Sequence, residues 1–202
     1  MGLLSYIVQG FDPAGRDVVF VPVGLAYDRV LEDRVLVAAA AAGGRRFRMQ
    51  PWRVAAYGLR LLWNRMRGRF RGFGTAAAGF GAPVSLRAFQ AEGGGTEVLG
   101  ARLMAAIAAV VPVLPVPLVA AALGAGAASR QALQDRVAAL TARLTAGGAV
   151  LKLPPQGVEA VLSEGLGPLI ARGLVTEGLQ VVAGQEAVLA FYAASVLQRD
   201  RP

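Results

Sequence analysis

From Leu103 to Ser129 the chain carries no charged residue, and Pro112, Pro115 and Pro117 fall in the middle of that stretch. The length suits a membrane span. Three prolines so close together break a helix where they lie, because each removes an N–H donor and its ring clashes with the turn before it. The stretch therefore reads as two apolar helices around an extended Pro-x-x-Pro-x-Pro connection, with the turn packed inside a protein core. Membrane insertion of the same segment is the competing reading.

Charge divides the rest of the chain. Between Arg34 and Ala91 there are eleven arginines and no acid, while the net charge of the whole is +8 and Lys152 is the only lysine. Such a basic excess points to phosphates, on lipid headgroups, small substrates or nucleic acid. There is no Cys, which excludes disulfides and zinc–thiolate sites, and no His, which removes the commonest general base. Ser5 and Ser85 have no His base to activate them as nucleophiles. Met1 to Tyr6 shows neither a signal peptide nor a myristoylation pattern.

Val18 to Val23 is a short β-branched run, expected to be a strand in a sheet covered on both faces, with Pro22 near its end. A helix is expected from Asp28 to Ala42, stopped at Gly43-Gly44. Its start carries Asp28, Glu32 and Asp33. The spacing of Asp28 and Glu32 would put two carboxylates on one helix face, and the neighbouring Arg29 and Arg34 make an ion-paired surface turn the simpler reading. Thr75 to Phe80 reads as a second strand.

Between Gln50 and Arg71, Trp52, Ala55, Ala56, Leu59, Leu62, Trp63 and Met66 recur at spacings of three and four. Arg53, Arg60 and Arg67 recur every seven residues on another face. This is the pattern of a basic amphipathic helix, fit to lie on an anionic membrane surface or to pack on its own domain. Trp52, Arg53, Arg60, Trp63 and Arg67 are the candidate membrane-surface residues. No nucleic-acid motif accompanies the arginines, and no nucleic-acid partner is expected.

Ser129 is placed to cap a helix running to about Thr145, closed by Gly147-Gly148. Val158 to Arg172 and Gln185 to Gln198 read as helices flanking a hairpin, Leu174–Thr176 and Leu179–Val182 about Glu177-Gly178, similar to half of a winged helix.

Four landmarks resemble the glycerol-3-phosphate acyltransferase family. Phe20-Val21-Pro22-Val23-Gly24-Leu25-Ala26-Tyr27-Asp28-Arg29-Val30-Leu31-Glu32 is similar to its fourth conserved block and the run of residues after it. Phe80-Gly81-Ala82-Pro83-Val84-Ser85-Leu86 resembles its Phe-Gly-Glu-Pro-hydrophobic-Ser-Leu. Val110 to Val119 resembles a Thr-Pro-Val-x-Pro-x-x-Leu-Val element, and Phe191-Tyr192-Ala193-Ala194-Ser195-Val196 a closing Tyr-Tyr-Ala-Asn-Ser-Ile. Ala82 stands where the family has Glu, and Ala194 where it has Asn.

The resemblance implies an α/β fragment, the last strands of an acyltransferase sheet, over residues 1–90, followed by a mainly α region over residues 97–202. It implies fatty acyl transfer from acyl-CoA or acyl carrier protein to sn-glycerol 3-phosphate, with dihydroxyacetone-phosphate acyltransferases sharing the pattern. Val21, Pro22 and Val23 are carried over as part of the substrate-site wall. The family's His-x4-Asp block, which supplies the general base, and its phosphate-gripping Glu-Gly-x-Arg-Ser element have no counterpart here. The chain alone is thus expected to be inactive, at the cytoplasmic face of the inner membrane as a peripheral protein, with a polypeptide carrying the missing catalytic half as a possible partner. The alternative is a non-catalytic module that binds membranes or a partner chain. No cofactor or metal is expected.

Overall fold

The computed structural model describes residues 2–30, 33–41, 63, 74–126 and 129–200. Among them the chain is mainly helical, with short antiparallel strands.

The apolar stretch forms the centre of the molecule. Helix α5, Pro115–Gly124, is buried from Pro115 through Leu123. A helix apolar on every side has to be surrounded. Three others enclose it: α6 (Arg130–Ala146), α7 (Val158–Ala171) and α8 (Glu186–Leu197). Helix α7 approaches through Gly165, where an added Cβ would lie 2.5 Å from Val119 Cγ2 and 2.8 Å from the Pro115 carbonyl oxygen. No helix among the described residues is long and apolar enough to cross a membrane.

The prolines divide this stretch at a different point from the one expected. Pro112 lies in the extended connection, but Pro115 and Pro117 occupy the first turn of α5, where a missing N–H costs little. The connection is pinned by a parallel bridge from Val113 to Leu151, with the Val113 N–H donating to Val150 O at 2.8 Å and Lys152 N–H to Val113 O at 2.9 Å.

The local signals at α6 hold. Ser129 accepts from the Ala132 N–H at 3.1 Å, and Gly148, at φ 73°, takes the left-handed conformation that ends the helix. The hairpin after α7 is reduced to a single bridge, Val175 to Val181, and its left-handed residue is Leu179 (φ 63°), not Gly178.

The expected sheet, covered on both faces, is not what Val18–Val23 joins. Strand β1 (Val19–Phe20) pairs antiparallel with β4 (Val84–Ser85), and β2 (Val23–Tyr27) pairs antiparallel with β3 (Ala76–Phe80). The registers differ by one residue, Phe20 facing Val84 but Val23 facing Phe80. Together they make one two-stranded ribbon with a bulge, Gly81-Ala82-Pro83 opposite Val21-Pro22. Both prolines sit at the interruption, where ladder donors are dispensable.

The ribbon's inner face rests on the C-terminal end of α4 (Thr96–Val110). Gly24 and Gly79, directly opposite each other, make this possible: a Cβ on Gly24 would lie 2.5 Å from Val111 N, and one on Gly79 would run into the Val110 carbonyl. A smaller core, Leu86, Phe89 and Leu99, joins the ribbon to α1 (Gly2–Gln9), α3 (Leu86–Ala91) and α4. Helix α2 covers Asp33–Ala41 and packs on α8.

Candidate functional site

The substrate-wall candidates Val21, Pro22 and Val23 lie on the ribbon. Pro22 is buried beneath the bulge, with Gly81 in close contact, while Val21 and Val23 are exposed on the outer face. Of the membrane-surface candidates, Trp52, Arg53, Arg60 and Arg67 lie outside the described residues. Trp63 is 55% exposed.

Asp28 is not the first residue of a helix; Glu32, the other carboxylate of the expected helix face, lies outside the described residues. It follows β2, and α2 begins only at Asp33. Nor is it a surface ion pair. Its carboxylate is buried and accepts from the Val116 N–H at 3.3 Å, with Thr75 bonding to it as well. This completes the start of α5. Pro115 and Pro117 have no N–H, and Leu118 N–H reaches Leu114 O, so Val116 carries the one unpaired donor of that first turn. A charge there is favoured by the helix dipole. Burial nonetheless pushes the Asp28 carboxyl above its ordinary value, against the bonds from Val116 and Thr75, and Glu164 adds to the rise.

Asp33 is fully buried. Its partner is Arg172, at the end of α7, rather than the sequence-adjacent arginines: Arg172 Nη2 lies 2.5 Å from its carboxylate. Arg34 donates its backbone N–H to Asp33 at 2.6 Å, while its guanidinium donates to the Arg172 carbonyl at 3.0 Å. Tyr192, on α8, donates to Asp33 at 2.7 Å and accepts from the Val30 N–H at 3.2 Å. Burial, then the bond to Asp33, pushes the Tyr192 hydroxyl up to about 12. Arg172 escaped sequence reading because no spacing rule links residues so far apart. Tyr192 carried a signal, its place in the Phe191–Val196 landmark.

Ser85 has a structural task. It accepts from the Ala88 N–H at 3.0 Å as the cap of α3 and donates to Asp17 at 2.6 Å. That bond, with help from the Arg87 N–H, holds the Asp17 carboxyl below its ordinary value. No cluster of acidic residues suited to a metal occurs among the described residues. Chemically, then, these polar groups cap helices and pair charges; none is poised as an activated nucleophile.

Comparison of the sequence with known protein families and with curated proteins finds no match.

Proposed function

We propose that the chain is the C-terminal part of a glycerol-3-phosphate acyltransferase-type protein, contributing scaffold and substrate-site wall but not the catalytic base. The observation that carries the reading is that the four landmarks of the resemblance are contact partners. Phe20–Val23 pairs with Phe80–Ser85 in the ribbon. Asp28 caps the helix of the Val110–Val119 element. Tyr192, from the closing landmark, bonds Val30 and Asp33 beside the first. Residues that resemble one family in four separate places thus meet in space, as a shared structural framework would require.

In this reading Val21, Pro22 and Val23 form the wall, acyl-CoA or acyl carrier protein and glycerol 3-phosphate are the substrates of the complete activity, and the protein works peripherally at the cytoplasmic face of a membrane. The sequence has no histidine, so in this reading the base that takes the proton from the acceptor hydroxyl lies outside these 202 residues. The test is acyl transfer by the purified chain with an acyl thioester and glycerol 3-phosphate. No turnover is expected alone, and activity is expected to return on mixing with a polypeptide bearing the His-x4-Asp block. Turnover by the chain alone would overturn the reading. The engagement of Ser85, Asp28 and Asp33 in caps and ion pairs favours a second reading, a purely non-catalytic binding module; failure of every such mixture to regain activity would select it.

A further inference from the structure

The described residues hold two apolar cores that share no residue. Leu86, Phe89 and Leu99 form one, with α1, the ribbon and α4 around it. Helices α5 to α8 form the other, with Val37 of α2 against it. The chain passes from the first body to the second after Asp28, comes to β3 through Gly74, and passes to the second again after Val110. These three passages meet at Asp28. Its carboxylate accepts from Thr75 and, at 3.3 Å, from the Val116 N–H, and its own N–H donates to Thr75 O at 2.9 Å. A Cβ on Gly74 would lie 3.2 Å from Arg29 Cβ and 3.5 Å from Asp28 Cβ. Beyond Asp28 the second body holds the chain again at Val30, through the Tyr192 hydroxyl, and beyond α4 at Val113, between Val150 and Lys152. Arg29 and Val111-Pro112 are thus the short links. A second tie joins the bodies: Arg199, just past the end of α8, donates to the Ala108 carbonyl in the last turn of α4, one of the acceptors that a helix end leaves unpaired.

We propose that these are two bodies hinged at Asp28, with Arg29 and Val111-Pro112 as the residues that turn, and with the Asp28–Val116 and Arg199–Ala108 bonds holding the closed arrangement. Bodies joined without a large apolar interface move relative to one another by default. A few residues at the ends of elements are enough to absorb such a turn. Gly24 and Gly79 seat the ribbon closely on the end of α4. The ribbon therefore turns together with α4, and carries Val21, Pro22 and Val23 with it, in place of peeling away alone. The hinge does not depend on the acyl-transfer reading, since its readout is a distance and not activity.

Because the sequence has no Cys, introduced thiols carry pairs of spin labels without background. Val98→Cys on α4 with Ala139→Cys on α6, both at exposed positions, spans the two bodies. Ala78→Cys with Val98→Cys stays within the first body, and Ala139→Cys with Ala190→Cys within the second; these positions are exposed as well. In pulsed dipolar spectroscopy the spanning pair should give one dominant distance and a minor second one. Arg199→Gln should raise the minor population about tenfold, the factor that loss of one charge-assisted hydrogen bond gives. Asp28→Ala should act in the same direction, and the pairs within one body should keep their distances in both variants. Should Asp28→Ala fail to fold, Arg199→Gln decides alone. A spanning distance that the variants leave unchanged would show a single rigid body. Distances within one body that broaden along with it would show unfolding in place of a turn. Either result overturns the proposal.

Discussion

The carboxylate of Asp28 accepts the Val116 N–H from a position 88 residues earlier in the chain, and so closes the first turn of a helix buried from Pro115 through Leu123. A helix that begins Pro-Val-Pro leaves its cap to a distant residue, and α5 cannot be completed until the ribbon has docked.

Replacing Asp28 by Ala should therefore cost about 0.5–2 kcal/mol, the usual worth of an N-cap, measured by denaturant unfolding. Asp28→Asn keeps an acceptor and should lose less. Because the folded carboxyl titrates above its unfolded value of 3.8, the native state binds the extra proton. The stability this confers is present below that value and lost as pH rises through the folded one. The Asn variant should accordingly gain on the original chain between acid and neutral pH. A difference that does not move with pH would show that Asp28 is not the titrating group.

Arg172→Met leaves Asp33 charged and unpaired in a fully buried site, and breaking such a pair costs about 3–5 kcal/mol. Thermal unfolding at neutral pH checks this. A loss near zero would show that the Asp33–Arg172 pair does not hold α2 to the end of α7.

The Tyr192 hydroxyl titrates at about 12 in the folded chain against 10.0 for a free tyrosine. Its contribution is intact below pH 10 and vanishes as pH rises through 12. Tyr192→Phe should cost about 1–3 kcal/mol at neutral pH, through the lost bond to buried Asp33 and the Val30 N–H left without its acceptor. The same variant should remove this part of the alkaline loss of stability, as followed by unfolding melts across pH 9 to 12.

A methyl group at Gly79 has no space beside the Val110 carbonyl. Gly79→Ala should cost about 1–3 kcal/mol, typical of overpacking, and Gly24→Ala a similar amount. The two residues face each other across the ribbon, so the double variant should cost less than the sum, because the first methyl already lifts the ribbon from α4. Additive losses would argue that the two sites dock independently.

For the membrane, binding through the arginines predicts co-sedimentation with anionic vesicles that falls steeply with salt. Arg53→Glu, Arg60→Glu and Arg67→Glu together should abolish it, given about 1 kcal/mol per cationic side chain at such a surface. Binding to neutral vesicles that survives both high salt and the triple change would point elsewhere on the chain.

Local chemistry is what the sequence made legible. Ser129 and Gly148 begin and end a helix by contacts within a few residues, and the three prolines divide the apolar stretch whatever surrounds it. The ribbon was misread because Val18-Val19-Phe20-Val21 looks the same whether a strand is enclosed on both faces or lies open on one. Its antiparallel partner, nearly sixty residues on, is chosen by the Gly24–Gly79 fit to α4, which no periodicity announces. The partner of Asp33 was likewise hidden. Arg29 and Arg34 are its neighbours in sequence, but the geometry at the end of α7 brings Arg172 to it instead.

The pairing of residues 18–28 with 75–86 also sets an order of events. Contacts among α5, α6 and α7 join segments that follow closely in sequence and form early, whereas α8 returns to α5 across a loop as long as the ribbon's. The ribbon must first close a long loop, whose entropy is spent before any ladder bond forms. Assembly then starts from α5, α6 and α7, and the ribbon joins that core later. The ladder amides of Gly24, Ala26 and Asp28 should exchange with solvent through partial openings that leave Leu118 to Leu123 protected, making the ribbon the first unit to leave the native state and the last to join it.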